Sequence, residues 1–211
     1  MAGASKAYPV NVSIDYPDRN LNRLTTFFRI FTAIPILIII GFMTSGNYGG
    51  TAETNESYQY ASAGIIFLPL VLMILFRQKY PRWWFDWNVA FTKFGTRVCA
   101  YLGLLTDEYP STDEEQAVHI DIPYPDAKNE LHPVLPLVKW ILAIPHYIVL
   151  FFLWVAVIVC VVLAWFAILF SGRYPKGLFD FVVGVTQWSL RVDAYSLLLT
   201  TDVYPPFSLN D

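Results

Sequence analysis

Arg97 and Tyr101 stand four residues apart, and Arg191 and Tyr195 repeat that spacing. On a helix this interval puts both side chains of a pair on one face. An arginine at headgroup depth can fork onto a lipid phosphate, and a tyrosine hydroxyl can add a hydrogen bond. The plainer alternative is an internal ion pair with Asp86, Asp107, Asp180 or Asp202, tying the cytoplasmic surface together. Recurrence in both halves fits either reading, because duplication copies structural devices as readily as binding sites.

His146 is the only side chain of the apolar run 140–170 that titrates near neutral pH. An ionisable group at membrane depth is a functional candidate by default. It can equally bond a backbone carbonyl that Pro145 leaves free. Its counterpart in the first half is Ile36, so no paired proton relay is available. His119 and His132 add no ligand spacing, and the chain has no phosphate-cradling glycine loop, nucleophile elbow or zinc-spaced Cys/His set. No catalytic residue, cofactor or metal is expected, and neither is an enzyme.

These residues belong to a chain of 211 that is 55% hydrophobic, 17% aromatic and only 15% charged, against about 25% charged in an ordinary soluble domain. The apolar residues gather in runs, as a lipid environment requires. A net charge of -3 without a basic patch argues against nucleic acid as a partner. Cys99 and Cys160 read as small buried hydrophobes, not as a disulfide framework. The first 25 residues hold no long apolar core, so no cleavable signal peptide is expected.

Order along the chain comes from a repeat. Tyr16-Pro17 answers Tyr124-Pro125, Tyr80-Pro81 answers Tyr174-Pro175, and Tyr109-Pro110 answers Tyr204-Pro205. Ala33-Ile34-Pro35 likewise answers Ala143-Ile144-Pro145. The halves run over 10–110 and 118–207, and each opens on an alternating stretch that reads as a short strand closed by a turn. In the first half, apolar stretches near 24–43 and 61–77 are the expected spans, with a polar loop free of lysine and arginine between them. Arg19, Arg23 and Arg29 lie at the start of this hairpin and Arg77, Lys79 and Arg82 follow it, so the positive-inside rule puts both ends in the cytoplasm.

In the second half, residues 140–170 as one helix would be roughly 46 Å long, against a hydrocarbon core of about 30 Å. A hairpin over about 134–170, turning near Leu153 to Val157, is therefore expected, with one long tilted helix as the competing arrangement. An amphipathic helix follows in each half, over about 87–105 and 181–199. In the first copy Trp87, Phe91, Phe94, Val98, Tyr101 and Leu105 form its apolar face, and Trp83 and Trp84 suit an interfacial entry.

The fold class expected is an all-α membrane protein of two tandem repeats in parallel orientation. Each repeat is a transmembrane helical hairpin plus a cytoplasmic-side amphipathic helix, opened by a short β-strand. A pseudo-twofold axis along the membrane normal relates the two, and both termini are cytoplasmic.

With these motifs in hand, the chain resembles the membrane family called domain of unknown function 4389. The likeness is carried by Ala143 to Tyr147, Ala164 to Phe181, Trp188 to Tyr195 and Thr201 to Phe207. The second half fits closely, and the first resembles a divergent copy with a long inserted loop. The resemblance implies a prokaryotic, multi-pass inner-membrane protein, and it implies no activity, cofactor or catalytic residue.

The expected function is that of a non-enzymatic accessory or scaffold subunit of a membrane assembly, in contact with membrane lipids and with a protein partner or a second copy. Two strands whose edges can pair with a partner motivate it. The alternative is a lipid-binding or solute-conducting protein that uses the Arg/Tyr ledge or a cleft between the hairpins.

Overall fold

The computed structural model describes residues 8–17, 20–44, 70–112, 114 and 116–210. In chain order its elements are β1 (Asn11–Ile14), α1 (Arg23–Phe27), α2 (Arg29–Thr44), a helical stretch over 70–77 (α3), α4 (Arg82–Leu102), β2 (Val118–Asp121), α5 (Pro136–Leu142), α6 (Ile144–Ser171) and α7 (Lys176–Ser196). The polar loop of the first half and most of the expected span at 61–77 lie outside the described residues.

Both predicted strands form, and they pair with each other. β1 and β2 run antiparallel with Val12 opposite Ile120 and Ile14 opposite Val118. Alternation does the rest: Val12, Ile14, Val118 and Ile120 are buried, while Asn11, Ser13, His119 and Asp121 face outward. The strand edges expected to await a partner are thus partly consumed within the chain.

The hairpin expected over 134–170 is corrected. α6 is one continuous helix of 28 residues with no turn near Leu153 to Val157. From His146 to Ser171 the chain contains no Gly, Pro, Asn or Asp, so nothing there can make a tight reversal cheaply. The reversal comes at Gly172, which adopts φ +78 and donates its N–H to the Ile168 carbonyl at 2.8 Å. Such a left-handed position is what glycine supplies at a helix C-terminus. A break does occur further back, at Ala143 between α5 and α6, beside Pro145.

α7 folds back along α6. Ala143, His146, Leu150, Val157, Ala164 and Ile168 make the buried stripe, in steps that keep to one side of a helix. Across it, Tyr147 Oη meets Ser196 Oγ at 2.6 Å and Trp154 Nε1 donates to Ser189 Oγ at 3.1 Å. α7 is consequently central, with Val182, Val185, Trp188, Val192 and Tyr195 all buried. α4 keeps the predicted inner face at Phe94, Val98 and Tyr101, with Leu105 buried just beyond its end, but Trp87 stays exposed. Trp84, Trp87 and Phe91 stack as a ladder on its first turns, with centroids 5.7 and 5.4 Å apart.

α4 and α7 end alike. Leu104 and Leu199 take positive φ of 62 and 55. The next amides reach back along the helix, Leu105 five residues to the Ala100 carbonyl and Thr200 six to that of Ala194. At α4, where Leu104 also donates to Tyr101, this is the Schellman closure with leucine where glycine is usual; both leucines bury their side chains, which offsets the backbone strain.

Candidate functional site

Among the described residues, two densely tied sets of polar groups form clamps. In the first, Arg29 enters from the start of α2 and is buried. Its Nη1 donates to the carbonyls of Thr106 at 2.7 Å and Tyr101 at 3.2 Å, and its Nη2 to Asp107 Oδ1 at 2.5 Å. The guanidinium lies 4.1 Å from the Tyr101 ring centroid, within cation–π range. Asp107 Oδ2 accepts the Asn22 amide at 2.7 Å. Asn22 in turn caps α1 by accepting from Leu24.

In the second, Lys139 enters from α5, also fully buried. Its Nζ donates to the Thr201 carbonyl at 2.7 Å, lies 2.6 Å from Asp202 Oδ1 as an ion pair, and sits 5.2 Å from the Tyr195 ring centroid. Asp202 Oδ2 accepts the His132 amide at 2.6 Å. Burial pulls the Lys139 pKa down, and the hydrogen bond and charge of Asp202 oppose that. Partner for partner, the two clamps match: cation, carboxylate, threonine carbonyl, tyrosine ring and the amide seven residues before the cation.

This arrangement reassigns the residues singled out above. Asp107 and Asp202 hold Arg29 and Lys139, not Arg97 and Arg191. Arg97 donates Nη1 to the Ser111 carbonyl at 2.9 Å. Arg191 reaches the carbonyls of Ser208 and Asn210, both at 3.3 Å. Each therefore tethers the segment beyond a Tyr-Pro pair to its helix. Tyr101 and Tyr195 face the clamp cations, and Tyr101 Oη also meets Thr32 Oγ1 at 2.7 Å. Within each Arg/Tyr pair the arginine and the tyrosine thus have different internal partners.

Among the described residues, the buried Nε of Arg97 has no hydrogen-bond partner. Together with Lys93 it lines a cavity of about 190 Å³ beside the strand pair, which Asn11, Ser13, His119 and Asp121 also line. The chemistry offered there is mixed in sign.

His146 sits in an aromatic box. Trp188 Nε1 donates to its Nδ1 at 3.1 Å, and Phe207 stacks on the ring at 3.9 Å between centroids. Tyr204 closes a further side at 4.9 Å. That hydrogen bond makes Nδ1 the acceptor and puts the proton of the neutral ring on Nε2, a buried atom without a partner. Tyr204 and Phe207 bring the segment after α7 into the box, and that segment also presses on Gly184: a Cβ there would lie 2.9 Å from the Leu209 carbonyl oxygen.

Asp193 escaped the sequence reading. Among the described residues its carboxylate has no hydrogen-bond partner, and burial pushes its pKa up to about 6. The signal was there to see, as the one carboxylate between Leu190 and Leu199, two residues after Arg191. Arg29 and Lys139 carried a signal too, each standing four residues before Ala-Ile-Pro. Among the described residues, no three His, Cys, Asp or Glu side chains come together to hold a metal ion.

No curated protein and no solved structure matches the chain. Residues 136–208 match the family model described as Domain of unknown function (DUF4389), a stretch that contains α5, α6, α7, Lys139, His146, Asp193 and Asp202.

Proposed function

We propose that the protein is a non-enzymatic membrane protein that serves as an accessory or scaffold subunit of an assembly in a prokaryotic inner membrane. The observation that carries this reading is α6, long and apolar enough for a membrane, with 17% of its apolar window buried against the protein. Ile148, Phe151, Phe152, Val159 and Phe166 stand exposed along it. Contiguous apolar surface on this scale marks a membrane or protein contact. Meanwhile the buried charges Lys139, Arg191 and Arg29 are spent on internal ties.

The protein is further proposed to be a duplicated unit, with repeats at 10–110 and 118–207 in parallel orientation and both ends in the cytoplasm. The matched clamps support it. So does the strand register, which sets Val12 opposite Ile120, its own counterpart in the repeat. A register of that kind is what a twofold axis through the strand pair produces.

The test is cross-linking in native membranes followed by native mass analysis. A discrete species heavier than the 24.1 kDa chain is expected. A chain that stays a lone monomer in the membrane and after mild solubilisation, with no stoichiometric partner, sinks the scaffold reading.

A further inference from the structure

We infer that α6 lies in the plane of the membrane, bedded in the acyl layer of one leaflet, and does not cross the bilayer. This rests on the membrane reading above and specifies which lipid surface the protein meets and how.

The directions of the elements carry the inference. The described residues between Tyr8 and Arg23 run beside α7 from its end to its start. Tyr8 Oη donates to the Arg191 carbonyl at 3.2 Å, Gln187 Nε2 to Val12 at 2.8 Å and Tyr16 Oη to Tyr174 at 2.6 Å. Arg23 Nη2 then reaches the Phe170 carbonyl at 3.2 Å. The strands are thus aligned with α7, and α7 with α6. They are also level with the middle of α6, because Trp154 bonds Ser189 while Gln187, two residues away, holds Val12.

Were α6 to cross, this two-stranded ribbon would sit at mid-bilayer depth. Its outer face carries Asn11, Ser13, His119 and Asp121, and the His119–Asp15 pair has its side chains 52% and 66% exposed. Hydrocarbon does not tolerate open strand edges or lipid-facing ionisable groups. The layers resolve the conflict. Ser196, which meets α6, lies nine residues from Gln187, which meets the ribbon, and at about 100° per residue that is the opposite face of α7. Laid flat, the molecule puts the ribbon in water, α7 between, and α6 in the acyl layer.

Charge placement agrees. Arg23, Arg173 and Lys176 are exposed near the C-terminal end of α6. Arg77, Lys79 and Arg82 are exposed near its N-terminal end, where Tyr80 Oη donates to the Leu198 carbonyl at 2.7 Å. Basic residues at both ends place both ends on one side, and they can reach the headgroups of a single leaflet. A helix of roughly 42 Å then has no 30 Å thickness to fit. The same orientation turns Lys93 and Arg97 toward water.

The test uses single cysteines in place of Ile148, Val155, Val159 and Phe166 in the full chain with Cys99→Ser and Cys160→Ser. All four positions are exposed on α6. Nitroxides attached there, in phosphatidylcholine–phosphatidylglycerol vesicles, report depth by power saturation with oxygen and a nickel chelate. One shared depth within a few Å is expected, about 5–10 Å below the headgroups. A graded depth, changing by about 27 Å from 148 to 166, overturns the inference. In parallel, a membrane-impermeant maleimide should reach Leu142→Cys and Arg173→Cys from the same side; opposite sides overturn it. Failure of the protein to float with vesicles defeats the membrane reading itself, whereas a depth gradient defeats only the in-plane placement.

Discussion

Lys139 Nζ lies 2.6 Å from Asp202 Oδ1 with the lysine side chain wholly buried, joining the break before α6 to the segment that follows α7. The bond closes the α6–α7 pair at the end opposite Gly172. Arg29 and Asp107 do the same for the first half at 2.5 Å.

Removing one partner strands a buried charge. Lys139→Met or Asp202→Asn alone should destabilise the protein by about 3–5 kcal/mol. The double variant should recover a good part of that, because both charges leave together. Urea unfolding in micelles or nanodiscs, followed by tryptophan fluorescence, reads the difference. Equal losses in single and double variants would mean that the pair is incidental.

Asp193 makes stability depend on pH. Its folded pKa of about 6 is above the ordinary aspartate value of 3.8, so folding favours the protonated form. Stability from this group is full below about pH 4 and falls as pH rises to about 6, where the unfolded chain has released the proton and the folded one has not. The drop is at most about 3 kcal/mol, and less to the degree that solvent reaches the carboxyl. Asp193→Asn should flatten that window and raise stability at pH 7. A melting profile from pH 4 to 7 that keeps its slope in this variant contradicts the assignment.

Gly184 holds the space for the last segment. An alanine Cβ would lie 2.9 Å from a backbone oxygen of Leu209, which cannot swing aside as a side-chain tip can. Gly184→Ala should release residues 205–210 from α7, cost about 1–3 kcal/mol, and open that segment to carboxypeptidase. Unchanged protease resistance would show that the tail accommodates the methyl.

Continuity of α6 is testable by proline. Ala156→Pro falls where a hairpin turn was expected but where the helix runs through. It should cost about 3 kcal/mol or more by removing a backbone bond and clashing with the preceding turn. Wild-type expression and thermal stability would restore the hairpin.

Some of this was legible and some was not, for definite reasons. The apolar run up to Phe170 announces a membrane-suited helix, because composition is local. Alternation at Val10 to Ile14 and Val118 to Ile122 announces two strands, because side-chain direction has period two. The inner face of α4 follows from its three- and four-residue steps. The expected hairpin does not form because no residue between His146 and Ser171 makes a tight reversal, whatever bilayer thickness asks of helix length.

Pairing over distance lay beyond such reading. Val12 meets Ile120 across more than a hundred residues, and Asp107 and Asp202 choose Arg29 and Lys139 over the nearer Arg97 and Arg191. A residue's type and spacing settle which helix or strand it joins, since those depend on neighbours along the chain. Which cation a carboxylate meets, and whether α6 stands upright or lies beside a ribbon, depends on how α7 folds back after Gly172. That contact is made only when buried surfaces from both halves close on one another, and no stretch of sequence contains both sides of it.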